Sequence, residues 1–162
     1  MTADSTIADV FRDVMAGVCT PVSVVTAMHG RRPHGTTVSA FASLSMDPPM
    51  VLVSLDNRSD LLMLVRETGR FGLNILATNQ VACATAFARK GPDKFVGIDW
   101  REEEGVPRID GVAGWVVCEV AELVPGGDHT VALGNVVASH TTGGAPLTYH
   151  RRNFGTHADH VA

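Results

Sequence analysis

Hydrophobic and polar positions along this chain follow two different periods. At the N-terminal end Ile7, Val10, Phe11, Val14, Met15 and Val18 recur at i, i+3, i+4, i+7, i+8 and i+11. That is the stripe of an amphipathic helix, with Ser5 or Thr6 placed to cap it. Strand-like segments follow at 22–28, 36–44 and 50–55, broken by Gly30, Pro33, Gly35 and the pair Pro48-Pro49. Leu61, Leu62, Leu64 and Val65 predict a short helix ending at Gly69, and 71–76 reads as another strand. A third helix, capped by Asn79, carries Val81, Ala82, Thr85, Phe87 and Ala88 and stops at Gly91.

Residues from about 92 to 111 are charged and rich in Gly and Pro, so they read as an excursion with little regular structure, a candidate lid or dimer contact. Two long strands at 112–124 and 130–139, joined by Pro125-Gly126-Gly127-Asp128, and a short strand at 147–149 complete the pattern. Six or seven strands with short helices at intervals suggest a closed or nearly closed antiparallel barrel. No repeat or low-complexity linker divides the 162 residues, so a single domain over 1–162 is expected, its core at about 10–155.

Composition narrows the function. The formal net charge is −4 and the pI near 5.9, without a basic stripe, which argues against a nucleic-acid binder. No apolar run reaches membrane-spanning length, and the first residues lack the basic and apolar regions of a signal peptide, so the expectation is a cytoplasmic protein. Cys19, Cys83 and Cys118 are odd in number, far apart and set among apolar neighbours, so buried, inert thiols are expected. The seven histidines show no metal-ligand spacing, and no metal site is expected.

Candidate chemistry gathers in a few places. In 36–45 strict alternation puts Val38, Ala40, Ala42 and Leu44 on one face. The other face carries Thr37, Ser39, Phe41, Ser43 and Ser45, either a solvent face or a wall of hydroxyls and one ring for a flat polar heterocycle. Asp56-Asn57-Arg58-Ser59 opens a helix, with Ser59 as cap and Asp60 in the first turn; free amides, the Ser59 hydroxyl and the Arg58 guanidinium there could also hold a phosphate. Gly127-Asp128-His129 is a turn whose histidine could meet a ligand. Tyr149-His150-Arg151-Arg152-Asn153-Phe154-Gly155 reads either as a C-terminal strand followed by a solvated basic turn or as an aromatic and two arginines placed to meet a second nucleotide or a partner subunit. Dinucleotide-fold, phosphate-loop and nucleophile-elbow glycine motifs are all absent.

The order of these signals resembles the flavin reductase-like family. The matching pieces are Thr20-Pro21-Val22-Ser23-Val24-Val25-Thr26, then Gly35-x-Thr37-x-Ser39-x-Phe41-x-Ser43-x-Ser45-x-x-Pro48-Pro49, and Val51-Leu52-Val53-Ser54-Leu55 with Ser59. Phe71-x-x-Asn74-Ile75-Leu76, Gly127-Asp128-His129 with Gly134-x-Val136, and Pro146-Leu147-x-Tyr149 before Phe154-Gly155 follow in order.

The resemblance implies a mainly β, antiparallel Greek-key fold with short helices, the FMN-binding split barrel. It implies an NAD(P)H:flavin oxidoreductase that takes FMN or FAD and NADH, with NADPH possible, and supplies reduced flavin by diffusion to a partner monooxygenase. A homodimer is implied as well. Hydride transfer between two cofactors demands no acid or base residue, which fits a chain without a catalytic cluster. By the resemblance, Thr37, Val38, Ser39 and Ala40 border the flavin ring. Ser54, Leu55, Asp56 and Asn57 lie near its edge and ribityl chain, with Ser59 and Arg58 at the phosphate. Asp128, His129 and Phe154 fall to the nicotinamide nucleotide, Phe154 standing where many relatives carry tyrosine. Two alternatives remain on the same barrel: a flavin- or haem-binding protein without turnover, and an oxidase that retains its flavin.

Overall fold

The computed structural model describes residues 6–161. Helix α1 (Ile7–Ala16) opens the chain and α2 (Asp60–Thr68) and α3 (Val81–Ala88) interrupt its strands. The principal sheet is built from β2 (Ser23–His29), β3 (Arg32–Val38), β4 (Phe41–Met46), β5 (Pro49–Asp56), β6 (Arg70–Ile75), β9 (Gly114–Gly126) and β10 (His129–Thr141). Its order is β3-β2-β6-β9-β10-β5-β4, antiparallel at every pairing. The two edge strands, β3 and β4, are consecutive in the chain and joined by Ser39 and Ala40 alone. Three Cα steps span about 11 Å at most, so the sheet curls until its edges come together at one end. No ladder pairs them, and the result is a barrel split along one seam.

That seam corrects the single strand expected over 36–44. Val38 and Phe41, which the alternation puts on opposite faces, both pack into the barrel interior, because the backbone leaves one edge at Val38 and joins the other at Phe41. Two small residues at the crossing leave no trace in hydrophobic periodicity. At the crossing the Ser54 N–H donates to the Ala40 carbonyl (2.9 Å), and the Ser23 hydroxyl donates to the Val38 carbonyl (2.6 Å) where β3 leaves β2.

Both faces of the sheet are covered where β2 runs, which explains why six consecutive residues of β2, Ser23 to Met28, are buried rather than every second one. Val25, Ala27, Phe71, Leu73 and Cys118 point inside the barrel and pack against Leu61, Leu62, Leu64 and Val65 of α2, which plugs it. Val22, Val24, Trp115 and Val117 point outward and are covered by Cys83, Ala84 and Phe87 of α3 with Val106 and Ile109. β9 and β10 approach closely at Gly134, where a Cβ would lie 2.6 Å from the Cys118 Cβ and 2.8 Å from the Phe71 ring.

The excursion at 92–111 is irregular over 92–99 but regular beyond. It holds the hairpin β7 (Trp100–Glu103) and β8 (Val106–Ile109), turned by Glu104 and Gly105, both at positive φ. Hydrogen bonds lock the hairpin to the sheet: the Thr26 hydroxyl donates to the Pro107 carbonyl (2.7 Å), and the Ile109 N–H donates to Asn74 Oδ1 (2.9 Å). The hairpin covers the outer core.

Smaller differences have equally local causes. Thr6 caps α1 in a capping box with Asp9, while Ser5 lies outside the described residues. The residue before α3 is Gln80, not Asn79; its side chain accepts from the Ala77 N–H and donates to the Asp110 carbonyl. α3 stops at Ala88 because Arg89 turns extended, two residues before Gly91. Cys83 and Cys118 are buried, and burial pushes their thiols up to about 11 and about 12; Cys19 is exposed, contrary to expectation, beside the short strand β1 (Thr20–Pro21). β1 pairs with β11 (Thr148–His150), which pairs with β12 (Asn153–Gly155), in a separate three-stranded sheet. Among the described residues no helix is long and apolar enough to cross a membrane, and no His, Cys, Asp and Glu cluster has metal-site geometry.

Candidate functional site

β5 runs out of the barrel and delivers Asp56, Asn57, Arg58 and Ser59 to the start of α2. The Ser59 hydroxyl oxygen accepts the Leu62 N–H (3.1 Å), which caps the helix and leaves the hydroxyl proton free to donate outward. The Ser59 N–H is bonded to the Asp56 carbonyl, but the Asp60 and Leu61 N–H groups have no protein acceptor among the described residues. Both residues line a cleft of about 620 Å³. Two free amides at the positive end of a helix dipole favour an anion there. Arg58, its side chain 88% exposed, rests on Asp56, and hydrogen bonds from that guanidinium hold the Asp56 carboxyl below the usual range.

A chain of hydrogen bonds ties this corner to the β9–β10 turn. Arg66 donates to the Thr130 hydroxyl (3.2 Å), Thr130 donates to Asn57 Oδ1 (2.7 Å), and Asn57 Nδ2 donates to the Gly127 carbonyl (3.2 Å). The Asn57 N–H also donates to the Asp128 carbonyl (3.0 Å). Asn57 is thus a strut that fixes the turn, and His129 sits opposite Asp56 in the β5–β10 ladder. His129 Nδ1 and Asp128 Oδ1 lie 2.7 Å apart, which orients the ring.

The other wall of the cleft is β3. Arg32, His34, Gly35 and Thr36 line it, facing Arg89, Lys90 and Lys94 from beyond α3. Burial, with Arg32 and His29 adding to it, lowers the His34 pKa from its ordinary value. β3 then leads to the seam. Thr37 donates its hydroxyl proton to the Ala84 carbonyl (2.6 Å), anchoring β3 on α3. Val38 and Leu55 are buried toward the barrel, so only their backbones can border a ligand. Ser39 and Ala40 are exposed, their N–H groups have no protein acceptor among the described residues, and Ser54 lies beside Ala40.

The expected residues therefore form two neighbouring groups. Asp56, Asn57, Arg58, Ser59, Asp128 and His129 share one corner, and Thr37, Val38, Ser39, Ala40, Ser54 and Leu55 share the seam. Phe154 stands on β12 in the other sheet, stacked on Tyr149 with ring centroids 5.1 Å apart. Arg32, His34, Arg89, Lys90 and Lys94 were not anticipated. The one signal for them was two basic pairs, Arg31-Arg32 and Arg89-Lys90, each bordered by Gly or Pro, which read equally well as solvated turns.

Free amides at the seam and a cationic cleft at the helix mouth agree with what known proteins of similar sequence and shape are. The flavin reductase like domain matches residues 15–158. The reductase subunit HsaB of a flavin-dependent monooxygenase from Mycobacterium tuberculosis is 40% identical over 127 residues, covering 78% of this chain and 68% of that protein. Among solved structures, a homologue of nitrilotriacetate monooxygenase component B from Mycobacterium thermoresistibile superposes with a TM-score of 0.90 at 34% identity, covering 96% of this chain and 89% of the other. The NADH:FAD oxidoreductase SgcE6 of Streptomyces globisporus, solved with NAD and FAD fragments, gives 0.86 at 30% identity over 98% and 97%. Sequence, topology and the free polar groups of the seam converge, and the chain belongs to the flavin reductase like domain family.

Proposed function

We propose that this chain is an NAD(P)H-dependent flavin reductase that supplies reduced FMN or FAD to a separate monooxygenase. The observation that carries the reading is a pair of unsatisfied donor sets at the two ends of one connection: the Ser39 and Ala40 N–H groups at the seam, beside Ser54 of β5, and the Asp60 and Leu61 N–H groups at the helix mouth to which β5 leads. The residues fit a flavin. The seam offers donors to a polar heterocycle, while Ser59 with the two helix amides and Arg58 would hold its phosphate. When bound, the flavin supplies a hydride acceptor and the nicotinamide supplies the hydride.

The chain's own part is positional. Thr37 and the Ala40–Ser54 bond fix the seam; Ser39 keeps a hydroxyl free beside it. Asn57 and Thr130 hold the turn so that His129 faces the same corner, where it would receive the nicotinamide nucleotide. None of these groups needs to gain or lose a proton. The relatives' names, among them a reductase subunit and an NADH:FAD oxidoreductase, support this assignment.

The same reading includes a homodimer. α1 buries none of its residues, and Ile7, Phe11 and Val14 stand 91%, 62% and 62% exposed. An apolar stripe of that kind calls for a cover, and a second copy supplies one.

Steady-state oxidation of NADH and NADPH, each with free FMN and free FAD, tests the activity. Continuous turnover with at least one pair, without organic substrate, is expected. Silence with all four would leave a binding protein. A flavin that stays with the protein through gel filtration after turnover would make it an oxidase rather than a supplier.

A further inference from the structure

The last turn of α2 carries a cation that no carboxylate accounts for. Arg66 is exposed and forms no ion pair among the described residues. A cation there complements the helix dipole wherever its side chain points. The Arg66 guanidinium nevertheless donates to the hydroxyl of Thr130 (3.2 Å), a residue only 4% exposed. What this contact fixes is a direction.

A guanidinium donates and cannot accept, so the Thr130 oxygen is the acceptor, and its one proton goes to Asn57 Oδ1, 2.7 Å away. That assignment settles the Asn57 amide: with Oδ1 toward Thr130, Nδ2 faces the Gly127 carbonyl (3.2 Å). Turning the amide over would set Oδ1 against that carbonyl and leave the Thr130 proton without an acceptor in a buried site. The order of donors therefore runs one way, from Arg66 through Thr130 and Asn57 to the turn.

The turn needs such a hold. The last rungs of β10 pair His129 with Gly126 and with Asp56, and Gly127 and Asp128 lie beyond them. Asn57 bonds both carbonyls of that tip, Gly127 through its side chain and Asp128 through its N–H (3.0 Å). Asp128 in turn orients the His129 ring, with Oδ1 2.7 Å from Nδ1. α2 starts at the Ser59 corner and offers Arg66 from its last turn, about 10 Å further along. One helix, anchored in the barrel by Leu61, Leu62, Leu64 and Val65, thus supplies the phosphate corner and steadies the histidine turn.

We propose that Arg66 is a positioning residue for the nicotinamide nucleotide: it fixes the polarity of the Thr130–Asn57 pair, and through the turn it sets where His129 stands. The assignment rests on the flavin reductase reading above and adds to it a residue outside the contacts that reading names.

Steady-state kinetics of the wild type, R66M, R66K, H129A and R66M/H129A are compared, with NADH and free flavin varied in turn. R66M is expected to raise the KM for NADH about fivefold, with kcat and the KM for flavin within about twofold. R66K keeps a donor-only head and is expected to stay within about twofold of wild type. Because Arg66 acts through His129, R66M/H129A is expected to match H129A rather than multiply the two losses. In the ligand-free chain, the Asn57 backbone amide is expected to exchange its proton about fivefold faster in R66M, with the amides of β2 and β6 at wild-type rates. Equal rises in the KM for NADH and for flavin, multiplied losses in the double variant, or an Asn57 amide unmoved by R66M would each overturn the proposal. A wild type silent with every nicotinamide and flavin pair would overturn the reductase reading instead, and the Asn57 exchange rate would still decide whether Arg66 holds the turn.

Discussion

α1 and α2 look alike in sequence and differ completely in the fold. Each carries an apolar stripe at helical spacing, and each is capped by a hydroxyl, Thr6 for α1 and Ser59 for α2. α2 buries Leu61, Leu62, Leu64 and Val65 and plugs the barrel. α1 buries nothing, and among the described residues one backbone bond joins it to the last strands, from the Arg151 N–H to the Ala16 carbonyl. Ten residues of helix are marginal on their own in water, so α1 depends on a surface the single chain does not provide. Amphipathicity states that a face needs cover; it does not state whose.

The sharpest way to break the comparison is to remove apolar volume from the plug. L62A is expected to lower unfolding stability by about 2–5 kcal/mol in denaturant titration, because the site is fully enclosed. A loss under 1 kcal/mol, roughly the scale of a surface change, would show that α2 is not the keystone. G134A is expected to cost about 1–3 kcal/mol, since the new methyl meets Cys118 and Phe71 in the barrel wall.

Removing the caps should separate the helices further. S59A is expected to cost about 1 kcal/mol of global stability and to weaken FMN binding, whereas T6A should leave the unfolding midpoint of dilute protein in place. Equal effects from the two caps would contradict the difference in coupling. F11E/V14E should change dilute-protein stability by less than about 0.5 kcal/mol, yet halve the mass seen by light scattering. A full-mass particle from that variant would place the dimer contact elsewhere. The smallest effect is chemical: a thiol reagent should label Cys19 at once and spare Cys83 and Cys118 until the chain unfolds, because burial holds their thiols at about 11 and about 12.

Much of the architecture was legible because its elements have strong periodicity and punctuation. α2 could be read from four apolar residues between Ser59 and Gly69, and β9 and β10 from their length and the glycines between them. The seam was not legible, since the sequence alternates without a break across Ser39 and Ala40 while the chain changes edges there and turns both Val38 and Phe41 into the barrel. The hairpin β7–β8 was hidden for another reason: its buried face consists of Val106 and Ile109 on either side of a proline and an arginine, too few residues to show a period. Of the candidate site, the helix mouth and the Asp128-His129 turn were readable from capping and turn chemistry. The cationic wall was not, because Arg32, Arg89, Lys90 and Lys94 come from segments more than fifty positions apart, and only the packing of α3 on β3 assembles them.

Ser39 and Ala40 belong to neither core cluster. Substitutions at that crossing can alter what the barrel recognises without repacking its interior, so ligand preference and thermal robustness are free to drift independently.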